Sequence, residues 1–254
     1  MSEFFIELFS EEIPANLQNK TRQDFFQNLK EFLEKEDIKY SGEATAFSIP
    51  NRLIVYFQNI SKKITKKENE IRGPNINAPQ DALNGFLKSY KISIDKTYKK
   101  KTDKGEFYFF KKPSESIETK FVLQKNLPKI LDKISWKKSM RWADHELYWG
   151  RPLKSILCCF DNKTLEFEYH HLVSSNITFI DKDFEQKTKK FVRFKDYLAF
   201  FRSQNIILDN KKREQFIVDQ LNRIAKKENL KIHFNSNLLN EVTNIVEKPN
   251  IIKC

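Results

Sequence analysis

A run of aromatic and branched residues near the N-terminus, from Phe4 to Phe9, most constrains how this chain can fold. Such a run, interrupted by a single charge at Glu7, is typical of a strand that is buried on most sides. Pro14 suits the first turn of a helix, because its missing N–H would have no partner there. Apolar residues at helical spacing follow, at Leu17, Phe25, Leu29 and Leu33. We therefore predict a central strand, a helix packed on it, and a sheet completed by later segments.

The rest of the chain alternates between predicted strands and helices. Strands are predicted at 44–49, 53–57, 107–110, 153–160 and 206–208, and helices at 82–90, 122–134, 194–201, 210–227 and 237–247. This pattern predicts an α/β (α+β) protein with a mixed sheet and packed helices in its N-terminal part. We place an alpha/beta region at residues 1–185 and a mainly helical region at residues 186–254. The last residues resemble the start of a strand without its end, so we expect a truncated chain with a loosely packed C-terminal part.

The charge balance limits the classes of partner. The chain has 46 Lys and Arg against 34 Asp and Glu, a formal net charge of +12. A basic balance attracts nucleic acid or anionic membrane, although lysine enrichment from AT-rich codons gives the same number. No apolar run reaches the roughly 18–20 residues that a membrane span needs, and the N-terminus lacks the basic start of a signal peptide. We therefore predict a cytoplasmic chain without a membrane partner, whose 3 cysteines are reduced.

Two neighbouring segments, 136–142 and 148–152, hold all 3 tryptophans together with arginine and lysine. Aromatic rings interleaved with cations can stack on unpaired bases while the cations meet phosphates. The alternative is that the rings pack between sheet and helix and that Arg141 and Arg151 make ion pairs. The sequence leaves both interpretations open.

Residues suited to catalysis are few. Glu11 and Glu12 could form a carboxylate pair, but adjacent acids at a helix start more often complement the helix dipole. His170 and His171 lie in a predicted strand, which sends their rings to opposite faces and prevents them from sharing a metal. Glycine-rich phosphate loops, metal-spaced Cys and His, and nucleophile elbows are absent from the sequence, which has 5 glycines. We predict no catalytic residue, cofactor site or metal site on this chain.

Six short motifs, in order along the whole chain, together carry a resemblance. They are Phe5–Leu8 with Glu11–Pro14, Pro50–Leu53, Arg72–Pro74, Thr102–Glu106, Met140–Trp142 with Arg151–Pro152, and Leu239–Val242 with Val246–Pro249. The chain thereby resembles the N-terminal portion of the β subunit of the bacterial heterotetrameric glycyl-tRNA synthetase. Two departures stand out: Asn51 replaces one arginine of the family's "P-R-R-L", and Asn176–Phe179 keeps only the phenylalanine of "G-H-R-F".

The resemblance implies a non-catalytic subunit of an ATP-dependent ligase. In this family the α subunit uses ATP to make glycyl-adenylate and charges the tRNA. The β subunit supports tRNA binding and assembly. The implied partners are therefore the α subunit, tRNA(Gly) and further copies within the heterotetramer, and the isolated chain is expected to be inactive. A stand-alone basic RNA-binding module, or an assembly-only remnant of the β subunit, are the alternative functions.

Four arginines are the candidate RNA-binding residues. Arg52 follows Pro50 at two residues' distance, Arg72 precedes Gly73 and Pro74, and Arg151 lies between Gly150 and Pro152, so their backbones are restrained. A guanidinium on a fixed backbone can pair with a phosphate through two donors. The fourth candidate, Arg141, could equally be a buried ion-pair partner. If all of them are architectural instead, their replacement should leave RNA affinity unchanged.

Overall fold

The computed structural model describes residues 2–66, 68–180 and 187–252. The chain divides into two compact units. Unit 1 comprises Met1–Lys62 and Thr119–Cys254, and unit 2 comprises Lys63–Glu118. The domain boundary predicted near residue 185 falls outside the described residues and stays a prediction.

The elements alternate in type along the chain. Among the described residues the helices are α1 (Ala15–Lys35), α2 (Gln80–Tyr90), α3 (Thr119–Leu131), α4 (Phe194–Ser203), α5 (Asn210–Glu228) and α6 (Ser236–Ile245). The strands are β1 (Glu3–Ser10), β2 (Ala44–Ile49), β3 (Arg52–Gln58), β4 (Lys63–Lys66), β5 (Asn69–Asn75), β6 (Thr97–Thr102), β7 (Gly105–Lys112), β8 (Glu115–Glu118), β9 (Leu153–Phe160), β10 (Lys163–Thr164), β11 (Glu168–Tyr169), β12 (Leu172–Val173), β13 (Ile177–Phe179) and β14 (Thr188–Lys190). The predicted α/β (α+β) class is confirmed. The short strand predicted at 206–208 is instead irregular backbone, in which the Ile207 N–H donates to the Glu247 carbonyl at 3.0 Å.

The central sheet of unit 1 has the strand order β10-β9-β1-β3-β2. The predicted central position of the first strand is confirmed, because β1 pairs with β3 on one side and with β9 on the other. The pairings in this sheet are antiparallel rather than mixed. A single parallel bridge, between Leu157 and Ser175, adjoins it in the described part of the chain.

Both faces of the central sheet are covered by helices. On one face α1 brings Phe26 against Phe57, with ring centroids 5.5 Å apart. On the other face α4 brings Phe194 to 4.0 Å from Tyr56 and 5.5 Å from Phe5. Because Phe194 lies at 2% exposure in the main core, the loose packing expected of the C-terminal part does not hold for α4.

A fully buried arginine ties the last two helices to the sheet edge. Arg213 of α5 donates to the backbone carbonyls of Ser48 and Thr243, on β2 and α6, at 2.9 and 2.7 Å. Burial, with a smaller effect from nearby Arg22, lowers the pKa of Arg213 to about 10. The guanidinium thus replaces water as the donor to carbonyls from separate elements. At the start of this helix, the Asp209 side chain accepts from the N–H groups of the first turn.

Unit 2 contains a three-stranded sheet in the order β5-β7-β6 and the two-stranded ladder of β4 and β8. The predicted helix and strand here are confirmed as α2 and β7. The helix covers one sheet face, where Phe86 and Tyr90 lie 6.0 and 5.2 Å from Phe110 between ring centroids. A Cβ on Gly73 would come within 2.8 Å of the Phe86 ring, so this close packing requires glycine.

The chain leaves unit 1 and returns to it at neighbouring residues. The backbone N–H of Thr119 donates to the Lys62 carbonyl at 2.9 Å, and its hydroxyl donates to the Ser61 carbonyl at 2.6 Å. Thr119 is fully buried. The two ends of the inserted segment are therefore held together by unit 1 itself.

Candidate nucleic-acid interface

Arg52, the first of the four candidate arginines, lies inside unit 1. It begins β3, and its Nε lies 3.1 Å from the Glu7 carboxylate on the neighbouring strand β1. Both side chains are buried, at 3% and 0% exposure. Its guanidinium also donates to Asn51 Oδ1 at 2.7 Å and to the Phe179 carbonyl. Because Arg52 is buried and each of its three nitrogens donates inside the protein, its guanidinium is not accessible to a phosphate from solvent.

The Glu7 carboxylate has further partners on the same sheet face. Thr178, in β13, and Tyr197, in α4, donate their hydroxyl groups to it. Burial, followed by the nearby Glu7 charge, raises the pKa of Tyr197 well above its usual value. Charge and hydrogen bonds are thus balanced within the core, as a buried ion pair requires. The RNA contact predicted for Arg52 stays a prediction, and its burial argues against it.

Arg72 stands in a different environment, on the unit 2 sheet. It is exposed on β5, and its Cζ lies 3.5 Å from the centroid of the Phe107 ring on β7. Its neighbour Gly73 faces α2, so the alternation along the strand sends Arg72 to the sheet face without a helix. The aromatic ring fixes one side of the guanidinium plane, while the other side remains available for stacking.

Arg141 and Arg151 lie on paired segments of unit 1. Met140 and Trp149 exchange backbone hydrogen bonds of 2.8 and 3.1 Å, which align the two segments. Arg151 is half-buried, with Nε 3.3 Å from the Glu12 carbonyl, whereas Arg141 is exposed. The alternative of a buried ion pair therefore does not hold for Arg141.

A cleft of about 450 Å³ opens beside Arg151, where β1 ends and β9 begins. Four motif segments that are distant in sequence line it, contributing Glu11, Asn51, Met140 and Arg151. Lys154 faces Glu11 across 3.6 Å, so cation and carboxylate are mixed in its wall. This mixture suits a polar ligand or partner with charges of both signs better than it suits a bare phosphate chain.

The tryptophans of the central region serve packing to different degrees. Trp149 is buried at 2% exposure and lies 5.1 Å from Trp136 between ring centroids. A Cβ on Gly150 would come within 2.1 Å of the Trp136 ring, so that ring lies directly on the backbone. The packing interpretation thus applies to these two rings, whereas Trp142 is only half-buried.

The two adjacent histidines are placed differently from the prediction. His170 and His171 form the tight turn between β11 and β12 instead of lying within a strand, and His170 has a φ of 52°. The alternation of a strand therefore does not apply to their rings. His171 stacks on His145 with centroids 3.6 Å apart. In the part of the chain that the structure describes, no group of three or more His, Cys, Asp or Glu could hold a metal ion.

Sequence reasoning missed that Tyr98 and Phe107 share the helix-free face of the unit 2 sheet with Arg72. Tyr98 of β6 pairs with Phe109 of β7. Lys100, two residues after Tyr98, and Phe107, two residues before Phe109, therefore point to the same side of the sheet. The turn at 103–105 fixes the register of β6 and β7. Counting residues outward from this turn along both strands would have placed Tyr98 and Phe107 on the same face. Glu7, the partner of Arg52, was noted only as the charge in the first strand.

Comparison with known proteins agrees with the arrangement of motifs. Residues 4–254 match the family model described as glycyl-tRNA synthetase beta subunit. A protein of Rickettsia felis named glycine–tRNA ligase beta subunit is 35% identical over 254 residues, which are 99% of this chain and 38% of the relative. The protein of the same name from Rickettsia prowazekii is 35% identical over 253 residues, with the same coverage. The chain thus spans 38% of the length of these curated relatives. It belongs to the glycyl-tRNA synthetase beta subunit family.

Proposed function

We propose that this chain acts as a tRNA-binding and assembly part of a glycine–tRNA ligase, the enzyme that attaches glycine to tRNA(Gly). The family match over residues 4–254 carries the proposal. In this proposal the α subunit binds ATP and glycine and catalyses both steps. The chain is its non-catalytic cytoplasmic partner within a heterotetramer.

Two further observations support a binding rather than a catalytic role. The net charge of +12 favours association with a polyanion. The walls of the cleft beside Arg151 pair Lys154 with Glu11 and offer no glycine-rich turn for phosphates. In this proposal the candidate arginines that reach solvent, Arg72, Arg141 and Arg151, contribute to holding RNA, whereas buried Arg52 does not.

The test combines the purified 254-residue chain with the α subunit of the same organism. We expect no glycine-dependent pyrophosphate exchange by the chain alone, binding of a tRNA(Gly) transcript, and co-elution with the α subunit in size-exclusion chromatography. Exchange activity in an α-free preparation would contradict the non-catalytic role. RNA binding without co-elution would indicate a stand-alone RNA-binding module, and co-elution without any RNA binding an assembly-only role.

A further inference from the structure

We propose that the helix-free face of the unit 2 sheet binds unpaired RNA nucleotides by stacking. The accessible part of this face consists of exposed Arg72 on β5, exposed Lys100 and half-buried Tyr98 on β6, and half-buried Phe107 on β7. Phe109 on β7 lies beneath these side chains and is buried, at 7% exposure. The inference rests on the proposed function, because it names the surface through which this chain would hold RNA.

The geometry of the sheet collects these side chains. Tyr98 pairs with Phe109 and Lys100 pairs with Phe107 across the β6–β7 ladder, while Arg72 pairs with Phe109 across β5–β7. Paired residues of antiparallel strands project to the same side. The opposite side carries Phe110, which α2 covers. Aromatic rings and cations thus alternate over one face of three neighbouring strands.

Arg72 and Phe107 form the part of this face that is best prepared for a base. The Arg72 Cζ lies 3.5 Å from the Phe107 centroid, which holds the guanidinium plane over the ring. Arg72 is exposed, and among the described residues no carboxylate lies within ion-pair distance of it. A nucleobase can stack on the open side of the guanidinium, while the N–H groups at its edge reach a phosphate or a base edge.

The neighbouring residues keep a second ring in place. The Tyr98 hydroxyl donates to Glu70 at 2.7 Å, and Lys100 Nζ lies 2.5 Å from the other Glu70 oxygen. The same Lys100 lies 5.5 Å from the Phe109 centroid. Glu70 therefore anchors Tyr98 and Lys100 in fixed positions beside the Arg72–Phe107 pair, with its own charge matched by Lys100. Tyr98 and the Arg72–Phe107 pair then offer stacking surfaces to adjacent nucleotides, and Arg72 supplies the cation that is not paired with Glu70.

The positive charge of unit 2 favours RNA as the ligand of this face. Residues 63–118 carry 13 Lys and Arg against 8 Asp and Glu. A polyanion with exposed bases matches such a surface, whereas an acidic peptide would satisfy the cations and leave the rings without stacking partners. Duplex RNA keeps its bases stacked on one another, so the face should favour single strands.

The test uses fluorescence anisotropy with the full chain and three labelled probes: a single-stranded 12-nucleotide RNA, a 12-base-pair RNA duplex, and a tRNA(Gly) transcript. We expect tighter binding to the single strand than to the duplex. Phe107→Leu keeps an apolar side chain but removes the aromatic ring. Arg72→Lys keeps the positive charge but removes the planar guanidinium. Each should weaken single-strand binding by about 5- to 150-fold, the range for loss of one stacked base.

The controls separate this surface from general charge and from the wider function. Lys104→Ala removes one exposed lysine of the same unit and should change affinity by less than about twofold, and circular dichroism melting confirms that every variant is folded.

Wild-type affinity in Phe107→Leu and Arg72→Lys would overturn the proposal, while continued tRNA(Gly) binding by these variants would leave the proposed function standing. If Phe107→Leu and Arg72→Lys lost co-elution with the α subunit while their RNA affinity stayed unchanged, the stacking proposal would also be overturned, because the face would then bind protein. Absence of tRNA(Gly) binding by the wild-type chain together with the α subunit would instead refute the proposed function.

Discussion

The buried ion pair between Arg52 and Glu7 has an energetic cost that its neighbours offset. Each ion loses several kcal/mol of hydration on burial, and the mutual attraction restores this only when the remaining donors and acceptors are satisfied. Here Thr178 and Tyr197 donate to the carboxylate, and the Phe179 carbonyl accepts from the guanidinium. The pair therefore joins β1, β3, β13 and α4, and its value lies in specifying their arrangement.

Arg52→Ala should lower the free energy of unfolding by about 3–5 kcal/mol, because it leaves the Glu7 charge buried without its partner. The matched control is Arg72→Ala, whose exposed side chain should change that free energy by no more than about 0.5 kcal/mol. Urea denaturation followed by circular dichroism measures both. Equal stability of the two variants would mean that the ion pair does not hold the sheet together.

The adjacent thiols of Cys158 and Cys159 should be unreactive in the folded protein. Both are free and buried, and burial raises the pKa of Cys159 to about 12, with a smaller effect of Glu3. In a Cys254→Ser variant, we expect negligible reaction with Ellman's reagent at pH 8 and complete reaction in 6 M guanidinium. Because the folded pKa lies above the usual value of 9.0, the contribution of this thiol to stability is complete below pH 9 and is lost as pH rises towards 12. Rapid labelling of the native protein would contradict the buried placement.

At the scale of elements, the hairpin of β11 and β12 positions the stacked pair of His145 and His171. The rings are 3.6 Å apart and nearly parallel, at 4°. Partial burial, then the charges of His145 and His170, lowers the pKa of His171 below 6.5. Protonation of both rings would place two like charges in contact.

The pKa of His171, measured by NMR titration of its imidazole protons, should lie below 6.5 and should rise in His145→Ala. The unfolded chain takes up this proton at higher pH than the folded chain. Stability is therefore complete above about pH 6.5 and falls as the pH decreases from there towards the folded pKa. The control is Lys133→Ala, which removes an exposed charge outside the stack and should leave the titration unchanged. An unaltered pKa in His145→Ala would mean that the stack does not form in solution.

The longer elements could be predicted from the sequence because their patterns are local. The first strand follows from its apolar run, and α1 and α5 follow from apolar residues at helical spacing. The turn at His170 could not be predicted, since a two-residue turn without glycine requires a positive φ that histidine seldom adopts. Arg213 was also missed, because two of the four carbonyls around it, those of Ser48 and Thr243, come from distant elements and no local pattern indicates a buried cation.

At the scale of the whole molecule, the arrangement of strands depends on pairings between distant residues. The ladder of β1 with β9 joins residues about 150 positions apart, so the sequence predicted the strands but not their order. The division into two units was hidden for a related reason. Residues 63–118 alternate between strand and helix as the rest does, and the charged run at residues 62–70, where they begin, is equally typical of a solvated connector within one unit.

Binding of tRNA(Gly) should depend on salt through the arginines that reach solvent. Arg141→Ala and Arg151→Ala should each weaken binding by about 1–3 kcal/mol where a contact is lost. Each should also reduce the slope of log affinity against log salt by about 0.7–0.9. Lys99→Ala, which removes one charge from a run of three lysines, should have a smaller effect on affinity. Titrations at several potassium chloride concentrations measure both quantities, and unchanged slopes in the two arginine variants would assign them architectural roles.

The hydrogen bond from Thr119 to Lys62 holds the two flanking ends of unit 1 together, so we expect the register of the central sheet not to depend on the 56 residues between them. Loop-closure entropy grows only slowly with length, so a chain clamped at both ends of an insertion tolerates insertions and deletions there. Evolution could thus enlarge, shrink or exchange this module without altering β1. An engineer could do the same by joining Lys62 to Thr119 through a short Gly-Ser linker. A gene of this family should therefore vary in length at this junction far more readily than within its first sixty codons.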